Sequence, residues 1–305
     1  MEWHFTPVWL RLGFMRFALV VFLMLWSISA QAFSFRTNDV IAFLGGTDVV
    51  TAQQYGHLET LLTIHCRALD LRFRNFGWEG DTVFAQPRDI GFPALEEHLR
   101  RAGATAIVFE FGRAEALEDH PVDEFKAAYS KFIARFTNQA SSFLLMIPPP
   151  FERGSELLPD LTKHNPLLAD YAHAIRQLGY PTIDLSRLFG VTENDGLQIS
   201  PRGHALIAAE FVRQLGFKAP PEPSASGAWP DPDVEKLRQA IITKNRLWFD
   251  YWRPQNWAFL GGDRTSVPSS RDHRDPKIRW FPAEMEKFLP LIAAKETEIG
   301  LLGSQ

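Results

Sequence analysis

The amino-acid sequence predicts an α/β fold, in which a five-stranded parallel sheet carries helices on both faces. Short apolar runs alternate five times with segments of helical period, as buried parallel strands and their crossover helices do. Proline near the first turn and glycine after the last turn mark several of these helical segments. Strands joined in this way connect through right-handed crossovers.

The first predicted strand, residues 40–44, organises the rest of the chain. Its apolar run stops at Gly45 and Gly46, and helical period follows over residues 53–65. Ligands of open α/β sheets bind at such carboxyl ends of strands, so we expect a functional site from Gly45 to Asp48. The other predicted strands are residues 69–76, 106–111, 143–147 and 182–185. The other predicted helices of this domain are residues 93–102, 122–138, 166–178 and 201–215.

The composition changes at the end of the predicted α/β domain, which we place at residues 33–217. Residues 218–233 are rich in proline, serine, glycine and alanine, as an extended linker is. Helical period returns over residues 234–252 and, after a polar loop, over residues 282–299. We expect this C-terminal helical extension, residues 234–305, to pack on the α/β domain, because it is too small and too aromatic to be independent.

Composition and charge exclude several classes of function. The net charge of -4 and the pI near 6.2 indicate no basic surface, so we do not expect nucleic acid as a partner. The single cysteine, Cys66, can form neither an intramolecular disulfide nor a cysteine metal site, and we expect it to be a buried apolar group. The histidines have no spacing that would pair them at a metal ion, so we predict no metal and no other cofactor.

The N-terminus has the pattern of a signal peptide. Arg11 and Arg16 precede an apolar run over residues 17–26, and Ala30-Gln31-Ala32 forms an A-x-A cleavage motif. We therefore expect export to the periplasm or beyond, with residues 1–32 removed and no membrane span in the processed chain. An uncleaved N-terminal membrane anchor is the alternative, although the apolar run is short for a full span.

Four segments at predicted strand ends resemble the sequence blocks of the SGNH or GDSL-type hydrolase superfamily. Their order and spacing over residues 39–216 match that pattern. The segments are Gly45-Gly46-Thr47 at the Gly-Asp-Ser block, Asn75-Phe76-Gly77-Trp78-Glu79-Gly80-Asp81-Thr82 at the second block, Gly112-Arg113-Ala114-Glu115 at the Gly-x-Asn-Asp block and Asp195-Gly196-Leu197-Gln198 at the Asp-x-x-His block. The extension is similar to the ending of exported planctomycete and verrucomicrobial members, in Lys244-Asn245 and Trp252-Arg253-Pro254-Gln255-Asn256.

The resemblance implies a three-layer α/β/α fold of the flavodoxin-like kind and an ester-hydrolysing site. In that family a serine attacks the acyl carbonyl, and the histidine three residues after the aspartate deprotonates the serine. Backbone amides, a glycine and an asparagine hold the oxyanion. The family positions fall on Thr47 for the nucleophile, Asp195 and Gln198 for the acid and the base, and Gly80 and Ala114 for the oxyanion hole. Of these five, Gly80 and Asp195 keep the family residue.

The substitutions predict a pseudoenzyme with respect to conventional ester hydrolysis. The Thr47 hydroxyl needs a base to act as a nucleophile at neutral pH. Gln198 cannot accept and return a proton, because its amide does not titrate in this range. Loss of one triad member costs roughly 10⁴ to 10⁶ in turnover, and loss of one oxyanion donor costs about 2.7 to 4 kcal/mol. We interpret His204 and His57, the histidines nearest these blocks, as structural residues.

Several carboxylates are predicted at the same end of the sheet. They are Asp48, Glu79, Asp81, Glu115 and Asp195. Such a group could bind a hard cation or a polyhydroxylated sugar, or shift the pKa values of its members into acid and base roles. The alternative is that they are solvated loop residues at helix starts, where negative charge is favoured, with Arg113 neutralising one of them.

The aromatic residues also leave two interpretations open. Trp78, Trp248, Trp252 and Trp257 could stack on a carbohydrate beside the cleft, or they could anchor the extension in the core. Arg253 and Asn256 are binding candidates if the extension folds over the cleft mouth.

Two hypotheses of different classes follow. The first is an exported ester hydrolase acting on an acyl or acetyl ester, including one linked to a carbohydrate. The second is a catalytically inactive module that binds a glycan or a protein in the cleft. Hydrolysis of p-nitrophenyl acetate that depends on Thr47 separates the two.

Overall fold

A computed structural model describes residues 33–218 and 220–304 of the chain, and the predicted signal peptide lies outside these residues. Five strands form one parallel sheet in the order β2-β1-β3-β4-β5, which confirms the predicted fold class. The strands are β1 Val40–Gly45, β2 Arg72–Asn75, β3 Ala106–Glu110, β4 Ser142–Ile147 and β5 Thr182–Asp184.

Helices cover both faces of the sheet, as its apolar strands require. The helices of the α/β domain are α1 Thr47–Tyr55, α2 His57–His65, α3 Leu95–Ala102, α4 Arg113–Leu117, α5 Val122–Ala134, α6 Asn165–Arg176 and α7 Pro201–Gln214. Those of the extension are α8 Pro232–Trp252, α9 Trp257–Leu260, α10 Trp280–Glu286 and α11 Phe288–Gly303. Alternate residues of each strand face opposite layers. Leu44 and Phe109 pack with Phe132 of α5, whereas Phe43 and Val108 face the layer that holds α1 and α7.

The first helical segment differs from the prediction of one helix over residues 53–65. α1 begins at Thr47, directly after β1, and Gly56 separates it from α2. Gly56 has φ +65°, a left-handed conformation that glycine adopts without strain. The predicted last helix is likewise divided into α10 and α11. α4 and α9 were not predicted, because helices of five and four residues are too short to show a hydrophobic period.

The extension packs on the α/β domain through buried polar contacts as well as apolar ones. Lys244 Nζ lies 2.7 Å from Glu59 Oε1, and both side chains are buried. Asn245 donates to the Gln53 carbonyl at 3.2 Å, and the Trp248 indole donates to the Asn75 carbonyl at 2.9 Å. α8 is therefore fixed to α1, α2 and the end of β2.

Membrane-spanning helices and clusters of metal ligands are both absent from the described part of the chain. None of the helices in residues 33–218 and 220–304 has the length and the apolar character needed to cross a membrane. The same residues contain no group of three or more histidine, cysteine, aspartate or glutamate side chains placed to hold a metal ion.

Candidate functional site

A cleft of about 180 Å³ opens at the carboxyl edge of the sheet. It lies beside the ends of β1 and β3, where the strand order reverses, which is the usual position of ligand sites in open α/β sheets. The residues that line it are Gly46, Thr47, Asp48, Asp81, Glu110, Phe111, Gly112, Arg113, Ala114, Glu115, Leu117, Pro148, Leu197 and Gln198. The structure thus brings together segments of all four family-like blocks.

Thr47 is exposed in this cleft as the first residue of α1. The turn before it requires a close approach of two backbones. A Cβ atom on Gly45 would lie 2.5 Å from the Glu110 carbonyl oxygen and 2.4 Å from Val49 Cγ2, so only glycine fits. This approach brings the start of α1 next to the end of β3.

Arg113 connects the segments around the cleft. Its guanidinium donates to Asp48 Oδ2 at 2.7 Å and to the Leu197 carbonyl at 2.5 Å, and it lies 4.8 Å from the centre of the Phe151 ring. The Arg113 side chain is buried, which makes these charge-assisted contacts stronger than surface ones. Arg113 therefore neutralises Asp48 and fixes the loop that carries Gln198.

Two further carboxylates of the cleft have structural partners. Both oxygens of Glu115 accept backbone N–H groups at 2.8 Å, one from Val83 and one from Gly112. Asp81 accepts two hydrogen bonds from the Arg88 guanidinium, each of 2.6 Å. Burial raises the pKa of both carboxyls, and the contacts named here oppose that shift. Their partners leave neither carboxylate free to act as a general base.

In the segment that corresponds to the Asp-x-x-His block, Gln198 lines the cleft and Asp195 does not. Asp195 Oδ1 accepts the backbone N–H groups of Leu197 and Gln198, both at 2.9 Å, and so shapes the turn. Asp195 does not line the cleft, whereas Gln198 is exposed within it.

Three other predicted site residues lie outside the cleft wall. Gly80 is exposed, and a Cβ atom built on it would meet no atom within 4 Å. Arg253 pairs with Glu79 and lies 3.7 Å from the centre of the Trp78 ring. Asn256 directly precedes α9, where its carbonyl accepts the N–H of Phe259 at 3.0 Å.

Glu110 is a cleft residue that sequence reasoning missed. Its carboxyl makes no hydrogen bond or ion pair with another described residue. Burial, together with the Asp48 carboxylate, raises the pKa of Glu110 to about 8, although Arg113 opposes the shift. Glu110 is therefore mostly protonated at neutral pH, and its O–H has no acceptor among the described residues. The signal in the sequence is a charged residue that closes the otherwise apolar strand β3.

A second, inner cavity of about 60 Å³ lies between the sheet and α1, α2 and α7. Asp48 and Glu110 line both spaces, so these two residues lie between the cleft and the cavity. His57 and His204 line the inner cavity, and no histidine of residues 33–218 and 220–304 lines the cleft. Burial lowers the pKa of His204 to about 4 and that of His57 to about 3, with Arg238 adding to the shift at His57.

The tryptophans mainly belong to the core. Trp248 and Trp252 are buried, at 5% and 3% exposure, and pack on Phe76. Trp78 is half-buried between two arginines, with the guanidinium of Arg88 4.3 Å from its ring centre and that of Arg253 3.7 Å away. The anchoring interpretation is therefore confirmed for Trp248 and Trp252.

Comparison with known proteins gives structural likeness without sequence likeness. No family model matches the chain, and no curated protein matches it. The structure is similar to that of a gut microbial diltiazem-metabolizing enzyme, with 13% identity, a TM-score of 0.53 and coverage of 90% of this chain and 96% of that chain.

Two other solved structures match over a smaller part of the chain. A catalytic mutant of an acetylxylan esterase from Geobacillus stearothermophilus is 15% identical, with a TM-score of 0.47 and coverage of 61% of this chain and 98% of that one. An α/β hydrolase enzyme from the metagenome of Lake Arreo, Spain, is 14% identical, with a TM-score of 0.46 and coverage of 60% and 97%. The strand order and the likeness to the gut microbial enzyme show that this chain has a three-layer α/β/α fold.

Proposed function

We propose that this protein is an exported member of the SGNH-type hydrolase fold that binds a glycan in its cleft and does not cleave esters by the conventional mechanism. The observation that carries the proposal is that Thr47 is exposed in an open cleft, and that none of the described residues lining this cleft is a histidine or an unpaired, ionised carboxylate.

The candidate bases are each unsuited for a different reason. Gln198 occupies the family base position and does not titrate. Asp48 and Asp81 are paired with Arg113 and Arg88, and Glu115 accepts two backbone N–H groups. Glu110 is mostly protonated at neutral pH, because burial and the Asp48 carboxylate raise its pKa to about 8. Without a base, the Thr47 hydroxyl stays a weak nucleophile.

The remaining chemistry of the cleft favours binding of a polyhydroxylated ligand. Thr47, Gln198 and protonated Glu110 supply donors and acceptors, while Asp81 supplies an acceptor. Apolar wall residues adjoin them, namely Phe111, Leu117, Pro148 and Leu197. A few polar groups in an apolar wall are the usual composition of small-molecule sites, and sugars present both hydroxyls and apolar C–H faces.

Hydrolysis of p-nitrophenyl acetate by the processed chain tests the catalytic part of the proposal. We expect turnover at the buffer rate, unchanged by Thr47→Ala, because the Thr47 hydroxyl has no proton acceptor. Turnover that Thr47→Ala abolishes would contradict the proposal and support the alternative hypothesis that the protein is an ester hydrolase.

Saturation-transfer NMR with glucose, xylose and N-acetylglucosamine tests the binding part. We expect transfer to at least one of these sugars and its loss in Ala114→Phe, since a ring at position 114 fills the cleft. Glu124→Ala, at an exposed residue of α5 that does not line the cleft, is the matched control and should retain transfer. Absence of transfer to all three sugars would contradict glycan binding.

Export is tested separately by sequencing the N-terminus of the protein purified from its native host. The A-x-A motif predicts a chain that begins at Phe33. A chain that retains residues 1–32 would support the membrane-anchor alternative.

A further inference from the structure

One exposed aromatic pair lies beside the cleft and has no role in the site described above. Phe84 and His120 stack with their ring centres 4.1 Å apart and their planes at 29°. Phe84 is 38% exposed, and the His120 side chain is 30% exposed. Singly exposed rings need no explanation, whereas here two stacked rings together present an aromatic surface to solvent.

The pair adjoins the wall of the cleft along two chain segments. Asp81 lines the cleft three residues before Phe84, and Leu117 lines it three residues before His120. The two segments are joined where Val83 N–H donates to Glu115 Oε1 at 2.8 Å. The two rings therefore belong to chain segments that also line the cleft.

The loop that carries Phe84 is held by several hydrogen bonds. Thr82 Oγ1 accepts the N–H groups of Phe84 and Ala85 at 3.2 and 3.1 Å. Gln86 donates to the Thr82 carbonyl at 2.6 Å and accepts from Arg135 at 2.6 Å. A ring fixed in this way loses little conformational entropy when a ligand stacks on it.

His120, the other ring of the pair, is held by its own contacts. His120 N–H donates to the Glu115 carbonyl at 3.2 Å, and its Nε2 lies 2.9 Å from Glu118 Oε2. Glu118 is itself 60% exposed, so a polar pair stands beside the apolar face of Phe84. An apolar ring face next to polar groups matches a sugar ring, which carries C–H groups on its faces and hydroxyls at its edge.

We propose that Phe84 and His120 form a stacking subsite next to the cleft, so that the ligand is an oligosaccharide chain rather than a single sugar. One sugar unit lies in the cleft and a neighbouring unit stacks on the outer face of Phe84. This inference rests on the proposed function, since it assigns a second unit to the same glycan.

Isothermal titration calorimetry with β-1,4-linked oligosaccharides tests the subsite. The probes are one to four units of glucose, xylose and N-acetylglucosamine, whose equatorial linkages leave flat C–H faces. We expect affinity to rise from the monosaccharide to the longer chains. Phe84→Ala should remove this gain, with roughly tenfold weaker binding of the tetrasaccharide, and leave monosaccharide binding unchanged. Phe84→Trp should retain the gain.

Phe189→Ala is the matched control. Phe189 is also an exposed phenylalanine, at 64%, but it follows β5 and does not line the cleft. We expect this variant to bind every probe as the wild type does. Monosaccharide binding without a gain from chain length, or a gain that Phe84→Ala leaves intact, would overturn the subsite alone. Failure of every saccharide to bind would overturn the proposed function and the subsite with it.

Discussion

At the scale of single residues, Glu110 sets the electrostatics of the cleft. Its carboxyl stands beside Asp48, which Arg113 already neutralises at 2.7 Å. A second ionised carboxyl would have to share one guanidinium in a buried space, so the neutral form is favoured. The sequence shows only a charged residue at a strand end, whereas the effect depends on residues that follow β1 and β3.

Glu110→Gln should change how the stability of the protein depends on pH. The folded state raises the pKa of Glu110 from 4.5 to about 8, so it holds a proton that the unfolded chain releases in this window. The stability that Glu110 contributes is therefore present at low pH and lost as pH rises towards 8, by about 1.4 kcal/mol per pH unit. We expect the stability of Glu110→Gln relative to wild type to increase between pH 5 and pH 8.

Urea denaturation at pH values from 5 to 9 measures this difference. Other groups titrate in both proteins, among them His57 and His204, and the comparison cancels their contributions. Glu124→Gln, at an exposed carboxyl of α5, should run parallel to the wild type. Parallel curves for Glu110→Gln as well would show that Glu110 is ionised in the folded protein at neutral pH.

At the scale of elements, the break between α1 and α2 is where the extension contacts the first helical segment. Gly56 has φ +65°, and a Cβ atom there would lie 3.1 Å from Ile241 Cγ2 and 3.2 Å from Ile242 Cγ1, both on α8. The break thus serves two purposes, since it turns the chain and lets α8 approach closely. Periodicity alone predicts one continuous helix here, because the apolar positions of α2 continue the pattern of α1.

The losses of stability in Gly56→Ala and Gly103→Ala distinguish the turn of the chain from the close approach of α8. Gly103 has φ +67° and no neighbour within 4 Å of a built Cβ atom, so its substitution costs only the left-handed backbone, about 1 kcal/mol. Gly56→Ala adds overpacking against α8, which costs roughly 1 to 3 kcal/mol more. Equal losses in urea denaturation would contradict close packing of α8 at this turn.

At the scale of the whole molecule, the layer architecture is predictable and the site is only partly so. The five apolar runs predict a parallel sheet because burial on both faces leaves a local signal in each strand. The convergence of Thr47, Ala114 and Gln198 depends on strand order, which the runs do not encode and the family resemblance implies. The partners of Asp195 and Glu115 are backbone N–H groups, which no pattern of side chains displays.

The extension likewise has features that the sequence predicts and features that it does not. Its packing on the α/β domain follows from its small size and aromatic content. Trp248 and Trp252 are buried, as the interpretation that they anchor the extension in the core predicts. The buried pair of Lys244 with Glu59 joins residues 185 positions apart, a distance across which single-sequence patterns carry no information.

The proposed function requires that the cleft keeps the geometry of its fold while Thr47 lacks a proton acceptor. The combined variant Thr47→Ser, Ala114→Asn and Gln198→His introduces the family residue at three positions where this chain differs from the family pattern. Gly46 is left in place, because a Cβ there would lie 3.0 Å from the Asp81 carbonyl oxygen.

The most direct measurement is the turnover of p-nitrophenyl acetate by this triple variant beside the wild type. We predict no turnover above the buffer rate for the wild type and a gain for the triple variant. The gain should disappear when the same background carries Thr47→Ala instead of Thr47→Ser. A triple variant with wild-type circular dichroism and melting but no turnover would contradict the convergence of the four segments, and Thr47-dependent turnover in the wild type would contradict the missing base.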